Sequence, residues 1–482
     1  MDLQRKKNDN RIFALISVLM TAGIMIVYSN HFRNPFHFDD VHTIVSNPAI
    51  RSIGNIPQFF VDPTTTSSLP ANQVYRPGVT TLNAIDYWIA GGLNPLYFHI
   101  SIFIAFLLQA LFMFLIFRRL LDMSHRHKWN RYFALFAVGW YCYHTAMAET
   151  VNYVISRSDG FSTLMVLVSL YVFMFFPKKR KFYLYLIPFI FGFFVKEPAL
   201  MLIPILGLYV YLFEEKASLT HIFKRKAAPA VWASVKAIFP MTIIGAVLFY
   251  ISQSIVLESF NLSTLSRFDY LITQPFVIVH YFTTFLYPGW LSADTDWNAL
   301  GSVADIRLLM GLMFIAGVVI LAFRLSRKEQ MHPVSFGLLW FLATLVPTSS
   351  IIPLSEVLND HRIYFPFVGL ALALSYLIIK WLILDHEDRT QNVKIVLAGA
   401  TLLLVLHGWG THERNKIWSS EETLWKDVAE KSPKNGRGLM NYGLTFMRKG
   451  EYEEALKYFE KGLIYNPYYS YLYINTAVVK SA

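Results

Sequence analysis

The 482-residue chain contains a single cysteine, Cys142, which excludes an internal disulfide and a cysteine-ligated metal cluster. Charge is scarce as well. Asp, Glu, Lys and Arg make up 16% of the residues, against about 25% in an ordinary soluble domain. The charge that remains is net positive, +11, but no basic stripe interleaved with aromatics occurs, so nucleic acid is not an expected partner. The basic residues fall instead in short clusters between apolar runs, the pattern of cytosolic loops in a multi-span membrane protein. No small-x-small cleavage site follows the first apolar run at 12–29. That run therefore reads as a retained helix that starts in the cytosol, not as a cleaved signal peptide.

Apolar residues are abundant: 55% of the chain is hydrophobic and 16% is aromatic. Runs long enough to cross about 30 Å of hydrocarbon recur near 12–29, 99–117, 131–148, 160–176, 182–195, 198–213, 237–256, 272–287, 306–324, 334–352, 363–384 and 393–410. Four basic clusters lie between them, at 118–131, 178–181, 224–226 and 324–328. Alternation keeps all four inside only if 272–287 does not cross. That stretch carries Gln274 and His280 and ends in Tyr287-Pro288-Gly289-Trp290, so it is expected to be re-entrant or interfacial on the outer side. The expected fold is an all-α polytopic membrane protein with about 11 spans in residues 1–410 and a long first outer loop at 31–97. A twelve-span alternative would put the C-terminus inside instead of outside.

From 411 to 482 the pattern turns to that of soluble helices. Segment 436–469 matches the roughly 34-residue period of a tetratricopeptide repeat. Gly443 allows two helices to approach, Phe446 fills the groove, and Gly450 lies in the turn. Ala455, Phe459 and Gly462 form the second helix's packing stripe, and Pro467 ends it. A half-unit at 421–433 precedes this repeat and another begins at Ser470. Because such arrays generally need about three units, this one reads as truncated or short-capped.

On this sidedness map the polar clusters share one face. Asp39, Asp40 and His42 follow the first span, and Arg76 lies in the same outer loop. His144 and Glu149 come at the end of the third span, Lys196 and Glu197 in a tight outer turn, and His361 and Arg362 before the run at 363–384. Two adjacent carboxylates at a bilayer surface are costly unless something uses their charge. A carboxylate can take the proton of a hydroxyl as it attacks a sugar carbon. A departing lipid phosphate needs fixed cations, which Lys and Arg supply. Acids such as Asp40 and Glu149 also offer the oxygen ligands that a divalent cation, Mg or Mn, takes; the sequence leaves open whether one is held. The blander readings are solvated helix ends for the acids and internal ion pairs or lipid-facing cations for the rest.

The order of these pieces resembles a known family. Phe38-Asp39-Asp40-Val41-His42 is similar to the Phe-Asp-Glu-Val-His run of protein O-mannosyltransferases. Tyr75-Arg76-Pro77, His144 through Glu149 to Asn152, Arg157-Ser158-Asp159, Lys196-Glu197, Asp360-His361-Arg362-Ile363-Tyr364 and Trp418 with Glu422-Thr423-Leu424 complete the set. Together they resemble the transmembrane and tetratricopeptide-repeat O-mannosyltransferases, of the GT-C class. The resemblance implies a GT-C-like helix bundle, a polyprenyl- or dolichyl-phosphate sugar as donor, and repeats facing a protein or glycan acceptor. It implies Asp39 as catalytic base with Asp40 its partner, and Glu149 orienting the acceptor or a metal. Arg362 and Lys196, with Arg76, would bind the phosphate, supported by His42, His144, Glu197 and His361. The chain departs from the family in its few repeats, and in Asp-His-Arg where animal members tend to have Glu-Arg. A bacterial inner membrane with a periplasmic active face is the expected setting, and the endoplasmic reticulum the other. The competing functions are a catalytically inactive membrane scaffold that works through its repeats, and a polysaccharide polymerase, ligase or transporter.

Overall fold

The computed structural model describes residues 2–255, 265–350, 352–384 and 389–482. The last residue of the run at 237–256, and Ile351 within that at 334–352, lie outside the described residues. Every regular element among those described is helical. In chain order the α-helices are α1 (Asp2–Val27), α2 (Ile56–Phe59), α3 (Pro77–Ala90), α4 (Pro95–Ser124), α5 (Asn130–Tyr143), α6 (Met147–Asn152), α7 (Arg157–Phe175), α8 (Leu186–Val195), α9 (Leu202–Tyr209) and α10 (Ala228–Ile255). They continue with α11 (Arg267–Leu286), α12 (Ile306–Leu325), α13 (His332–Leu345), α14 (Pro366–Ile379), α15 (Arg389–Ile417), α16 (Glu421–Lys431), α17 (Gly436–Arg448), α18 (Tyr452–Tyr465) and α19 (Ser470–Ser481).

Seven helical segments among the described residues are long and apolar enough to cross a membrane. The chain is a multi-pass integral membrane protein. Of the 11 spans expected, the other four are α5, α8, α13 and α14, helices of 10 to 14 residues. At 1.5 Å per residue these are only about 15–21 Å long. Three of them meet the polar segments at one end: α5 stops before His144, α8 before Lys196, and α14 begins just after Arg362. The site residues thus occupy the length these helices lack. Irregular backbone at such a depth is tolerated where protein covers it.

Two ends of the bundle can be told apart by their contacts. At the end carrying the basic clusters, Arg131 pairs with Asp9, Arg180 with Glu214, and Lys216 with Glu329. The Ser326 hydroxyl there accepts from the Leu219 amide at 2.9 Å. At the opposite end lies α11, which spans the stretch expected to be re-entrant or interfacial and is one continuous 20-residue helix. Tyr270 donates to the carbonyl of Thr348, Gln274 to that of Val357 and Tyr281 to that of Asn359. His144 bonds the carbonyl of Phe285 in its last turn. From Tyr270 to Tyr281, α11 is held by the segment that leads into Arg362, and its last turn by His144.

Close backbone approach stiffens this framework. α13 and α14 cross at Gly337 and Gly369, where a Cβ on either would collide with the other's carbonyl oxygen, the small-residue packing typical of membrane helices. In the C-terminal hairpin, a Cβ on Gly443 of α17 would lie 2.6 Å from the ring of Phe459 on α18. A capping box between Ser420 and Thr423 starts α16. The C-terminal helices dock on the loop after α11. Lys431 donates to the carbonyl of Leu291, Asn435 to that of Thr295, and Arg437 pairs with Asp294 at 2.7 Å.

Candidate active site

The first loop is positioned by buried polar ties. The Asn152 side chain accepts from Asn34 (2.6 Å) and donates to Asn415 (2.6 Å), joining the end of α1 to α6 and α15. His37 Nε2 lies 2.6 Å from the carbonyl of Trp418. Phe38 then adopts φ +47°, the left-handed region that costs a bulky L-residue about 1–3 kcal/mol. Its ring is gripped by Trp425 at 4.6 Å, Tyr153 at 5.4 Å and Trp418 at 6.0 Å. This turn sends the next two side chains to different places.

Asp39 points outward, its side chain 57% exposed. Its Oδ1 lies 3.2 Å from His42 Nε2, and its amide donates to the Tyr153 hydroxyl at 3.1 Å. The other His42 nitrogen meets Ser67 Oγ at 2.8 Å. Burial would push the Asp39 carboxyl up, but the hydrogen bond and charge of His42, with Tyr153 and Arg437, outweigh it and hold the group below its ordinary value. Asp39 is therefore ionised at neutral pH.

Asp40 is fully buried. Its two oxygens accept from the amides of His37 (3.0 Å) and Ile155 (2.8 Å), pinning the loop to the turn before α7. Burial drives its carboxyl up to about 7, partly opposed by these amides and reinforced by Asp39. It is a positioning group for Asp39, not a second carboxylate beside it. That corrects the expected pairing, and it also bears on the metal. Asp40's oxygens are occupied by backbone amides, Glu149 is bonded elsewhere, and no group of three His, Cys, Asp or Glu among the described residues is arranged to hold an ion. The residues do not assemble the expected Asp40–Glu149 ligand pair.

Glu149 is buried on α6 and its Oε1 lies 3.1 Å from His361 Nδ1. Burial and the nearby Asp360 hold the Glu149 carboxyl well above its usual range. Burial and the cations Lys196, Arg362 and Arg76 hold the His361 imidazole well below its own. Both shifts favour the uncharged form of each partner, so the contact is weighted toward a neutral hydrogen bond and away from an ion pair. The three cations that bear on His361 are the predicted phosphate binders, so the fold brings them into one electrostatic neighbourhood. Each has a carboxylate partner. Lys196 donates to both Asp159 oxygens at 2.7 Å, Arg76 lies 3.6 Å from Glu197, and Arg362 lies 3.4 Å from Glu356 and bonds its carbonyl at 3.0 Å. Lys196 is tightly paired; Arg76 and Arg362 are loosely paired, and Arg76 Nε is buried without a partner.

His144 lies apart from this group. Its Nε2 bonds the Phe285 carbonyl at 3.0 Å and its Nδ1 accepts from the Ala146 amide at 3.2 Å, which satisfies both nitrogens of a neutral ring. It ties α5 to α11, a structural part that its sequence proximity to Glu149 hides. Four further residues belong to the neighbourhood. Tyr153 stands beside Asp39, Glu356 and Asp294 carry arginines, and Arg437 reaches in from α17 to Asp294 (2.7 Å) and Glu356 (2.8 Å). Arg437 sits within a repeat-like helix and has no local signal. Glu356 had one, an acid just ahead of Asp360-His361-Arg362.

Comparison with known proteins supplies the context. The chain is 24% identical over 260 residues to Protein O-mannosyl-transferase TMTC1 of Mus musculus, covering 51% of this chain and 26% of that protein. It is 26% identical over 125 residues to Protein O-mannosyl-transferase Tmtc3 of Drosophila melanogaster, 26% of this chain and 13% of that one. It is 30% identical over 111 residues to Drosophila Tmtc2, 23% of this chain and 11% of that one. The matched segments thus span no more than 26% of the length of these curated relatives. No family model and no solved structure matches. The chain is thus similar, over part of its length, to proteins of the transmembrane and tetratricopeptide-repeat O-mannosyl-transferase family.

Proposed function

We propose that this protein is an inverting glycosyltransferase of the GT-C kind. It moves mannose or another hexose from a polyprenyl-phosphate carrier to a hydroxyl, on a protein Ser or Thr, at the outer membrane face. The observation that carries the reading is an exposed, ionised Asp39 beside His42 and Arg437, with Arg437 joined through Glu356 to Arg362, one of the three cations gathered around His361. In the reaction, Asp39 removes the acceptor's hydroxyl proton while the oxygen attacks the anomeric carbon from the face opposite the phosphate. The bond from that carbon to the phosphate oxygen breaks, and its electron pair leaves with the phosphate, which gains one negative charge. Arg76 and Arg362 receive that charge, since their carboxylate contacts are the loose ones. Lys196, held by Asp159, adds a fixed field from behind.

His42 aligns the base, Asp40 fixes its loop, and the Glu149–His361 pair orients the acceptor side of the cluster. No step needs a metal from these residues. The names of the relatives support mannose and a protein acceptor. The test is transfer of radiolabelled mannose from polyprenyl-phosphate mannose to a Ser/Thr-rich acceptor peptide by the purified protein. Transfer that Asp39→Asn abolishes is expected; transfer undiminished by it would overturn Asp39 as the base, and no transfer by the wild type would leave the inactive scaffold as the reading. A tag fused after Ala482 should be accessible from the outer face, and protection there would overturn the sidedness.

A further inference from the structure

A cavity of about 490 Å³ lies where the last membrane helix meets the C-terminal helices, lined by Thr145, Leu291, Arg414, Lys416, Thr423 and Lys431 among others. It contains none of the residues assigned to sugar transfer. Its size suits a small polar ligand or head group. Its chemistry is unbalanced. Arg414 is 4% exposed, and one of its nitrogens pairs with Asp427 while Nη2 is buried with no partner. Lys431 bonds the other oxygen of the same Asp427, at 2.7 Å, and the carbonyl of Leu291 at 2.9 Å. A buried Arg414 and a half-buried Lys431 therefore share one carboxylate. The cavity's remaining charges, Lys416 and Glu413, cancel each other at 2.6 Å. Burial first, and then the charge of Arg414, lower the Lys431 ammonium against the opposing pull of Asp427 and Asp360. Asp360 lies beyond Leu291, beside a separate cavity of about 130 Å³.

A buried guanidinium nitrogen left unpaired carries a desolvation cost, which an anion in the cavity would offset. Thr145 supplies a hydroxyl that suits an oxyanion. The surroundings identify the source. Tyr287, Trp290 and Trp409, from the segments that form the cavity wall, are 70%, 74% and 66% exposed. Exposed Tyr and Trp of this kind mark the level of lipid head groups in membrane proteins.

We propose that this junction cavity binds the phosphate head of a membrane lipid, with Arg414 and Lys431 as the anion's donors and the lipid's chains lying along Tyr287, Trp290 and Trp409. The site does not depend on the transfer reaction. It fastens the C-terminal helices to the bilayer beside the catalytic cluster.

The test is native mass spectrometry of the full chain in a neutral maltoside detergent, titrated with phosphatidylglycerol, with a polyprenyl phosphate, with inorganic phosphate and with phosphate-free diacylglycerol. One or both phospholipids should be retained and diacylglycerol should not. Arg414→Gln should weaken retention about tenfold or more, as expected for loss of a charge-assisted hydrogen bond. Where Arg414→Gln does not yield monodisperse protein, Lys431→Gln leaves the Arg414–Asp427 pair intact and should show the same loss. Retention within twofold of wild type by a folded variant would overturn the site. Diacylglycerol bound as well as the phospholipids would do the same. Inorganic phosphate bound as tightly as either lipid would overturn the lipid as occupant and leave a free anion in its place.

Discussion

Replacing the two adjacent acids one at a time should give two different defects. Asp39→Asn keeps the shape of an exposed side chain, so its effect on stability is small, within about 0.5 kcal/mol as for most surface changes. It removes the general base, which is worth about 10²–10⁴-fold in rate, or about 3–5 kcal/mol of barrier at 1.36 kcal/mol per decade. Asp40→Asn does the opposite. One of the two amides at His37 and Ile155 loses its acceptor and meets an NH₂ group, and a buried donor left unpaired costs about 1–3 kcal/mol. At pH 5 the thermal transition of this variant, followed by tryptophan fluorescence in detergent, should fall, while turnover per folded molecule falls less than in Asp39→Asn. Radiolabel transfer measured on the same samples gives the rates. If Asp40→Asn loses turnover at unchanged stability while Asp39→Asn stays within about threefold of wild type, the roles are reversed and the reasoning from burial fails.

The pH dependence of stability follows from the same carboxyl. Asp40 titrates near 3.8 in an unfolded chain and at about 7 when folded, so the native state binds the proton more tightly and stability falls as pH rises through that window. The wild type should lose up to about 4 kcal/mol between pH 4 and 8 that Asp40→Asn does not, closing and then reversing the gap between them; parallel curves would refute it. Glu149→Gln should keep transfer within about threefold, because a neutral amide donates to His361 as the protonated acid does. Glu149→Ala should lower transfer at least tenfold, and an inactive Gln variant would mean that Glu149 works as an anion. Arg157 is fully buried against Asp86, Asn83 and Ser101. Arg157→Met should cost about 3–5 kcal/mol, read as lost yield of monodisperse protein, and normal yield would refute it.

Hydropathy made the helical class, the order of the long spans and the gathering of polar residues at one end legible, because these depend on local composition. Gly443 and Phe459 could be matched across a hairpin for the same reason: a short turn brings them together. Long-range pairing was not legible. Lys196 finds Asp159 across α7 and α8, and Arg437 finds Asp294 from 143 residues away; no periodicity encodes either. Sequence adjacency misled twice. Asp39 and Asp40 look like a pair, yet the positive φ at Phe38 sets one outward and the other into the core. His144 lies near Glu149 in the chain but bonds a carbonyl on α11. The four short spans were read as full length because their apolar runs continue into turns, where hydropathy stays high after the helix has stopped.

The carboxylate of Glu356 is divided between two guanidiniums, Oε1 to Arg437 and Oε2 to Arg362. Charge drawn from one arm is returned to the other. A phosphate that pulls Arg362 away leaves Glu356 wholly to Arg437 and seats the C-terminal helices more firmly. By reciprocity, firmer seating of those helices loosens Arg362 for phosphate by the same free energy. On the proposed function, phosphate binding at Arg362 and seating of the C-terminal helices would therefore favour one another through this divided anion, with neither event required to come first.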